Sequence, residues 1–313
     1  MKELLLILIV LPMIGFGQLT MIPDANFEQK LINLGYDSGA INGSVYTANI
    51  NTVTSLAVNY QNISDLTGIE DFTALTSLNC NGNQLTSIDV SANLALMYLG
   101  CDGNQLTSID LSQNTALISL GFSGNQLTSI DLSQNTALDH LECEYNQLTS
   151  LDVSNNTAIE ELWCGNNQLT SLDVSNNTAL GYLTCENNQL TSLDVSNNTS
   201  FCVLICSYNQ LTSLDVRIGN NSNWAMFSCT SNPLLNCINV DDVPYWYSNW
   251  SNTIDPQHYF SNNCSGTSVE EHSTNKELLK VTDLLGRETK GTKNDVLFYI
   301  YDDGTVEKKI ILK

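Results

Sequence analysis

Apolar residues recur along this chain at fixed offsets. One representative turn reads Leu180, Leu183, Cys185, Leu190, Leu193 and Val195, with polar residues filling the gaps. Within it, Leu183 and Cys185 alternate with Tyr182, Thr184 and Glu186, the period-2 pattern of a short strand with one buried face. The tripeptide Asn-Gln-Leu sets the repeat length: its asparagine stands at 83, 104, 125, 146, 167, 188 and 209, 21 residues apart each time. A degenerate 22-residue turn precedes the series, with Val53, Leu56, Val58, Ile63 and Leu66. A looser one follows, with Phe227, Cys229, Asn232 and Leu234, so that nine turns fill residues 53–235.

One such turn cannot bury its own leucines, whereas stacked turns share a continuous core. The pattern therefore predicts a solenoid whose nine strands, ~4.8 Å apart, make roughly 40 Å of parallel sheet. A turn this short leaves little room for a helix on its outer side, so irregular or 3-10 turns are expected there. The frame L-x-x-L-x-C-x-x-N-x-L is the signature of leucine-rich repeats. The expected fold class is a leucine-rich-repeat solenoid, with a parallel β-sheet on the concave face, short turns on the convex side and a helical N-terminal cap.

Three columns of side chains need a reading. The cysteine column runs Cys80, Cys101, Phe122, Cys143, Cys164, Cys185, Cys206 and Cys229. Phe122 shows that the position wants apolar volume, and free cysteine packs as a small hydrophobe. In-register parallel strands keep neighbouring Cβ atoms too far apart for easy disulfides, so a ladder of free, buried thiols is expected. No histidine joins the column, which argues against metal. Cys202 falls outside it, on the outer side of its turn. The asparagines at 83 to 209 are expected to turn inward and bond the backbone of adjacent turns. Asp89, Asp110, Asp131, Asp152, Asp173, Asp194 and Asp215 are expected to cap the Ser-x-Asn turns that follow them. A Ca²⁺ ladder on these carboxylates is the alternative. No other cofactor is expected.

The cysteine together with the L-D-V-S-x-N turn resembles the 21-residue repeats of the internalin J type, over about 60% of the chain. That resemblance implies a curved solenoid with an unpaired cysteine ladder and a binding role at a bacterial cell surface.

Both ends of such a stack need lids. In residues 18–52, Asp24 or Asn26 caps a short helix carrying Phe27, Leu31 and Leu34, and Gly35 closes it. Residues 236–264 form the second lid, rich in aromatics, with a disulfide expected between Cys237 and Cys264 and Trp246 and Trp250 in its core. Residues 265–275 read as a polar linker. Residues 276–313 form a separate unit in which Val296–Tyr301 alternates as a strand. Asp303-Gly304 makes a hairpin turn, and Val306, Ile310 and Ile311 lie on the return strand. Its Asp283–Arg287 motif, D-L-L-G-R, with Y-x-x-D-G-T and a basic tail, resembles the C-terminal sorting domain of the type IX secretion system. This implies export by that machinery in a Bacteroidetes-like bacterium. Residues 1–17, with Lys2, the run LLLILIV and small residues at Gly15 and Gly17, read as a secretory signal peptide. The mature chain is expected to be secreted or held at the outer cell surface, without a membrane insertion.

Charge narrows the partners. The formal net charge is -22. Between Leu31 and Asn275 a single basic residue, Arg217, faces 23 carboxylates. Such a body is repelled by phosphate backbones, which excludes nucleic acid. Candidate chemistry is sparse: the histidines are His140, His258 and His272, and neither a zincin, a nucleophile-elbow nor a phosphate-loop motif occurs. The chain is not expected to be an enzyme.

Binding has better candidates. Most turns place small residues at the outward strand positions, but three differ. Their side chains are His140, Glu142 and Glu144, then Glu161 and Trp163 beside Gly165, then Tyr182, Thr184 and Glu186. Stacking sets Trp163 beside Glu142 and His140 between Ser119 and Glu161. Tyr98, Asp102, Tyr145 and Tyr208 share the face or its edge. Exposed Trp and Tyr are enriched where proteins grip partners. The reading is a surface-interaction protein that takes a protein or glycan through this face, as in adhesion. A structural spacer without a ligand site is the alternative.

Overall fold

The computed structural model describes residues 17–219, 224–264, 278–282, 287–289, 296–301 and 306–310. The signal segment (all but Gly17), the linker, Asp283–Gly286, the turn at Asp303-Gly304 and Ile311 lie outside the described residues. The chain divides into two units, Met1–Cys264 and Ser265–Lys313.

The first unit opens with β1 (Leu19–Met21), α1 (Ala25–Asn33), β2 (Ser44–Tyr46) and α2 (Thr47–Ile50). Asp24 starts α1 by accepting from the Asn26 and Phe27 amides at 2.9 and 3.0 Å, while Gly35 ends it with φ +81°. Phe27 and Leu31 face the core as their spacing requires. The antiparallel pair β1–β2 does not follow from the hydrophobic pattern, because Leu19 and Met21 are exposed and only Thr20 is buried. A buried glutamate organises this lid. Glu28 accepts from the Asn42 amide at 2.7 Å and from the Gly43 amide at 2.8 Å, so its charge rests on two backbone donors.

The repeats follow as β3 (Ser55–Ala57), β4 (Ser77–Asn79), β5 (Tyr98–Gly100), β6 (Ser119–Gly121), β7 (His140–Glu142), β8 (Glu161–Trp163), β9 (Tyr182–Thr184), β10 (Leu193–Asp194), β11 (Val203–Ile205), β12 (Leu214–Asp215) and β13 (Met226–Ser228). Nine of them, β3 to β9 with β11 and β13, form one parallel sheet, each strand pairing with its sequence neighbour in the stack. The leucines Leu56, Leu78, Leu99, Leu120, Leu141, Leu162, Leu183 and Leu204 form one buried column. The outer side is built of turns, with one 3-10 turn at Ile69–Asp71 and the two-residue strands β10 and β12.

The polar columns explain why the turns stay in register. Asn146 is typical. Its Oδ1 accepts from the Leu127 amide at 3.0 Å, and its Nδ2 donates to the carbonyls of Phe122, Cys143 and Glu144 at 3.0, 3.3 and 3.1 Å. Each such asparagine pairs backbone groups that the bend would otherwise bury alone. A second asparagine column, from Asn93 to Asn198, does the same on the outer side. Asn156 Nδ2, for example, donates to Leu132 and Asn135 carbonyls at 3.1 and 2.8 Å. The aspartates cap their turns: the Oδ1 atoms of Asp110, Asp131 and Asp152 each accept from the serine amide two residues on at 2.9 Å.

Seven thiols of the cysteine column are free and buried. Burial pushes the thiol pKa up, to about 12 at Cys80 and Cys206. Cys202 is half-buried, and its Sγ donates to the Gly181 carbonyl at 3.3 Å.

The last turn departs from the frame. Leu234 is exposed, and Leu235 occupies the core instead. An extra residue between Asn232 and the outer strand shifts the apolar position, so that Leu214 aligns with Ile238. The chain then makes β14 (Cys237–Asn239), α3 (Val243–Trp250) and β15 (Tyr259–Ser261). The strands β14 and β15 extend a second parallel sheet begun by β10 and β12. Asp242 caps α3 at the Tyr245 amide, with Pro244 in its first turn. Trp246 lies fully buried among Trp224, Phe227 and Phe260, while Trp250 is partly buried at the edge of the core. Cys237 and Cys264 form a disulfide with Cα atoms 5.7 Å apart. Arg217 ties the lid to the turns by pairing with Asp215 and donating to the Asn262 carbonyl at 3.2 Å.

The second unit is an antiparallel sheet of β16 (Leu278–Thr282), β17 (Val296–Tyr301) and β18 (Val306–Ile310). Among the described residues no helix is long and apolar enough to cross a membrane.

Candidate functional site

Strands β7, β8 and β9 set the candidate residues in register. His140 lies opposite Glu161 and Glu161 opposite Tyr182; Glu142 lies opposite Trp163 and Trp163 opposite Thr184. Because alternate positions face the core, all of these side chains emerge on the open face. There the rings form a row. Trp163 stacks on Tyr182 with centroids 5.3 Å apart and planes 16° from parallel, and His140 tilts toward the other side of the indole at 6.3 Å. Stacking of this kind adds roughly 0.5–1.5 kcal/mol beyond burial and holds the indole in one orientation.

Carboxylates surround the row. His140 Nε2 lies 2.8 Å from Glu142 and Nδ1 lies 3.0 Å from Glu161, an arrangement suited to the imidazolium form, in which both nitrogens donate. Glu144 accepts from the Thr184 hydroxyl at 3.3 Å. Glu186 folds back over Gly165, where an added Cβ would stand 2.9–3.0 Å from its carboxylate atoms. Tyr98 occupies the His140 column two strands away, beyond Ser119, and is outside the cluster. Tyr145 and Tyr208 stand exposed at the sheet edge with φ near +55°, a backbone region that disfavours bulky side chains. Asp102 packs over Gly121 on the same face and accepts from the Ser123 amide at 2.7 Å. The face also buries two residues whose positions the sequence marks as outward, Thr184 and Val203.

Protonation follows from this packing. Burial raises the Glu144 pKa above the usual carboxylate range, helped by the charges of Glu186 and Glu142, and burial raises Glu186 likewise. The aspartates of the turns go the other way: serine amides and hydroxyls lower Asp89, Asp110, Asp131, Asp152 and Asp173. A raised carboxylate disfavours the fold while ionised, so stability rises as pH falls through that raised value. A lowered carboxylate favours the fold while ionised, so stability is lost below the ordinary range. Melting temperature measured against pH is therefore expected to rise from pH 7 to about 5 and to fall below about pH 4. A monotonic fall from pH 7 would contradict it.

A Cys–His–Asp grouping that sequence spacing does not reveal lies under the C-terminal lid. Cys229 Sγ is 3.9 Å from His258 Nδ1, and Asp255 Oδ2 is 3.6 Å from Nε2. Its geometry is structural. The Asp255 amide donates to Nδ1 at 3.1 Å and Nε2 faces the Asn232 carbonyl at 3.2 Å, so Nδ1 has no free lone pair to take a thiol proton. Burial also raises the Cys229 thiol far above its ordinary value. Among the described residues no group of three or more His, Cys, Asp or Glu side chains is placed to hold a metal ion.

A parallel sheet of 21-residue turns, leucine columns within and asparagine ladders at the bends, is the fold of the leucine-rich-repeat proteins, and this chain has it. No protein-family model matches the sequence, and a search of curated proteins finds no match. Among solved structures the chain is similar to the functional domain of InlJ from Listeria monocytogenes, which is described as including a cysteine ladder. That match has 34% identity and a TM-score of 0.66, and it covers 74% of this chain. The chain spans 55% of the InlJ domain's length. An internalin C2 of Listeria monocytogenes matches at 18% identity and a TM-score of 0.49, over 77% of this chain and 95% of its own. A leucine-rich-repeat protein of Leptospira interrogans matches at 23% and 0.45, over 55% and 52%.

Proposed function

We propose that this chain is an exported binding module that takes a protein or glycan at the outer cell surface through the open face of its nine-stranded sheet. The row His140–Trp163–Tyr182 carries this reading. A solvated strand has no packing need for a tryptophan, yet three adjacent turns give up their small residues to build one ring stack edged by Glu142, Glu144, Glu161 and Glu186. The similarity to InlJ supports an interaction role. The signal-like residues 1–17 and the D-L-L-G-R tail support export, with residues 276–313 addressed to type IX secretion machinery.

The test sets the full chain and a Trp163→Ala, Tyr182→Ala double variant on glycan and surface-protein arrays. Truncating a central aromatic anchor costs roughly 2 kcal/mol or more, so the double variant is expected to lose at least about 30-fold in affinity. If both proteins bind alike, the face is not the contact, and the repeats serve as a spacer.

A further inference from the structure

Two polar atoms near the ring row are buried without a partner among the described residues: Trp163 Nε1 and Glu186 Oε2. Both belong to the surroundings of Gly165. Trp163 precedes Gly165 by two residues on the same face, and the Glu186 carboxylate lies where a side chain of residue 165 would be. Glu144 stands 21 residues earlier in the same column, and its Oε1 takes the Thr184 hydroxyl. The missing Cβ of Gly165 thus makes a small recess walled by an indole edge and two carboxylates.

The two unpaired atoms ask for different things. Trp163 Nε1 is a donor and needs an acceptor; Glu186 Oε2 needs a donor. A lysine or arginine side chain brings donors alone, and would leave the indole unpaired. A carboxylate, sulfate or phosphate brings acceptors and meets the charges of Glu142, Glu144, Glu161 and Glu186. A trans peptide unit points its N–H and C=O in opposite directions, so it serves one of the two atoms and not the other. A hydroxyl both donates and accepts, and neighbouring hydroxyls on one sugar ring present both along one edge.

We propose that the recess at Gly165 receives an uncharged, polyhydroxylated ligand, a neutral glycan, with hydroxyls accepting from Trp163 Nε1 and donating to Glu186 Oε2. This rests on the reading of the open face as the recognition surface and narrows it. The stack on Tyr182 fixes the indole so that its N–H points consistently. The raised pKa of Glu186 agrees with an environment that prefers an uncharged partner.

The experiment compares the full chain with two variants by titration calorimetry, using neutral oligosaccharides retained from a glycan array. Trp163→Phe keeps a ring on Tyr182 and removes the N–H. Gly165→Ala puts a methyl where the Glu186 carboxylate lies. Each is expected to weaken binding about tenfold or more, since a site built to pair a hydroxyl is left with an unmatched polar atom. Melting curves of the variants, expected to stay close to that of the parent, exclude unfolding as the cause. Equal affinity of Trp163→Phe and parent overturns the proposal, as does a parent that retains peptides or acidic glycans but no neutral ones. In both cases the Trp163→Ala, Tyr182→Ala variant decides the broader reading: loss of the retained ligand keeps the open face as the contact, and retention removes it. A parent that retains no ligand of any class overturns both.

Discussion

Asn146→Ala is expected to lower the unfolding free energy by about 4 kcal/mol, read from urea denaturation of the full chain. One side chain here pairs four backbone groups, an amide of the preceding turn and carbonyls of both turns. Alanine leaves all four in a dry interior, where each unsatisfied group costs roughly 1–3 kcal/mol before relaxation. Part of that is recovered as the turn loosens, hence the middle of the range. The position matters as well. Asn146 lies centrally in the array, and a repeat protein transmits stability through nearest-neighbour interfaces, so weakening one central turn uncouples the two halves. Gln147→Ala, at an exposed neighbour, is expected to stay within about 0.5 kcal/mol. A loss below about 1 kcal/mol at Asn146 would show that the ladder is an ornament of the fold and not its fastening.

The second large effect is at the C-terminal lid. Replacing both Cys237 and Cys264 with serine is expected to cost about 3.5 kcal/mol, from the entropy of closing a loop whose ends are 27 residues apart. That loop contains α3 and Trp246, whose ring closes the end of the core against Trp224, Phe227 and Phe260. Opening it exposes the last turn first. Hydrogen exchange should therefore show protection lost at residues 226–261 while β4 to β8 keep theirs. Uniform loss over the whole array would mean that the lid and the repeats unfold as one unit. The buried thiols of the cysteine column do not complicate this variant, because burial keeps them in the unreactive thiol form.

These two cases mark where the amino-acid sequence is informative. The leucine, cysteine and asparagine columns are legible because each recurs at one period, and a solenoid converts a period into a stack. Register arithmetic alone brings His140 to Glu161 and Glu142 to Trp163, since in-register parallel strands align residues one repeat apart. The lid helix α1 is legible from Asp24 and Gly35, which act locally on the backbone. By contrast, β1 and β2 are three residues each, with no apolar alternation, and their pairing depends on Glu28 holding the Asn42 and Gly43 amides from another element. Leu234 and Leu235 exchange places because an added residue shifts the apolar position, and a repeat frame has no means of counting it.

The candidate site divides in the same way. Which residues emerge on the open face follows from period 2 and the 21-residue repeat, and the sequence by itself determines it. Three things were decided only by tertiary structure: the ring stack of Trp163 on Tyr182, the return of Glu186 over Gly165, and the burial of Thr184 and Val203 beneath their neighbours. Each depends on side-chain torsions chosen in competition with the neighbouring turns. The backbone period fixes where a side chain begins, and packing in three dimensions decides where it ends.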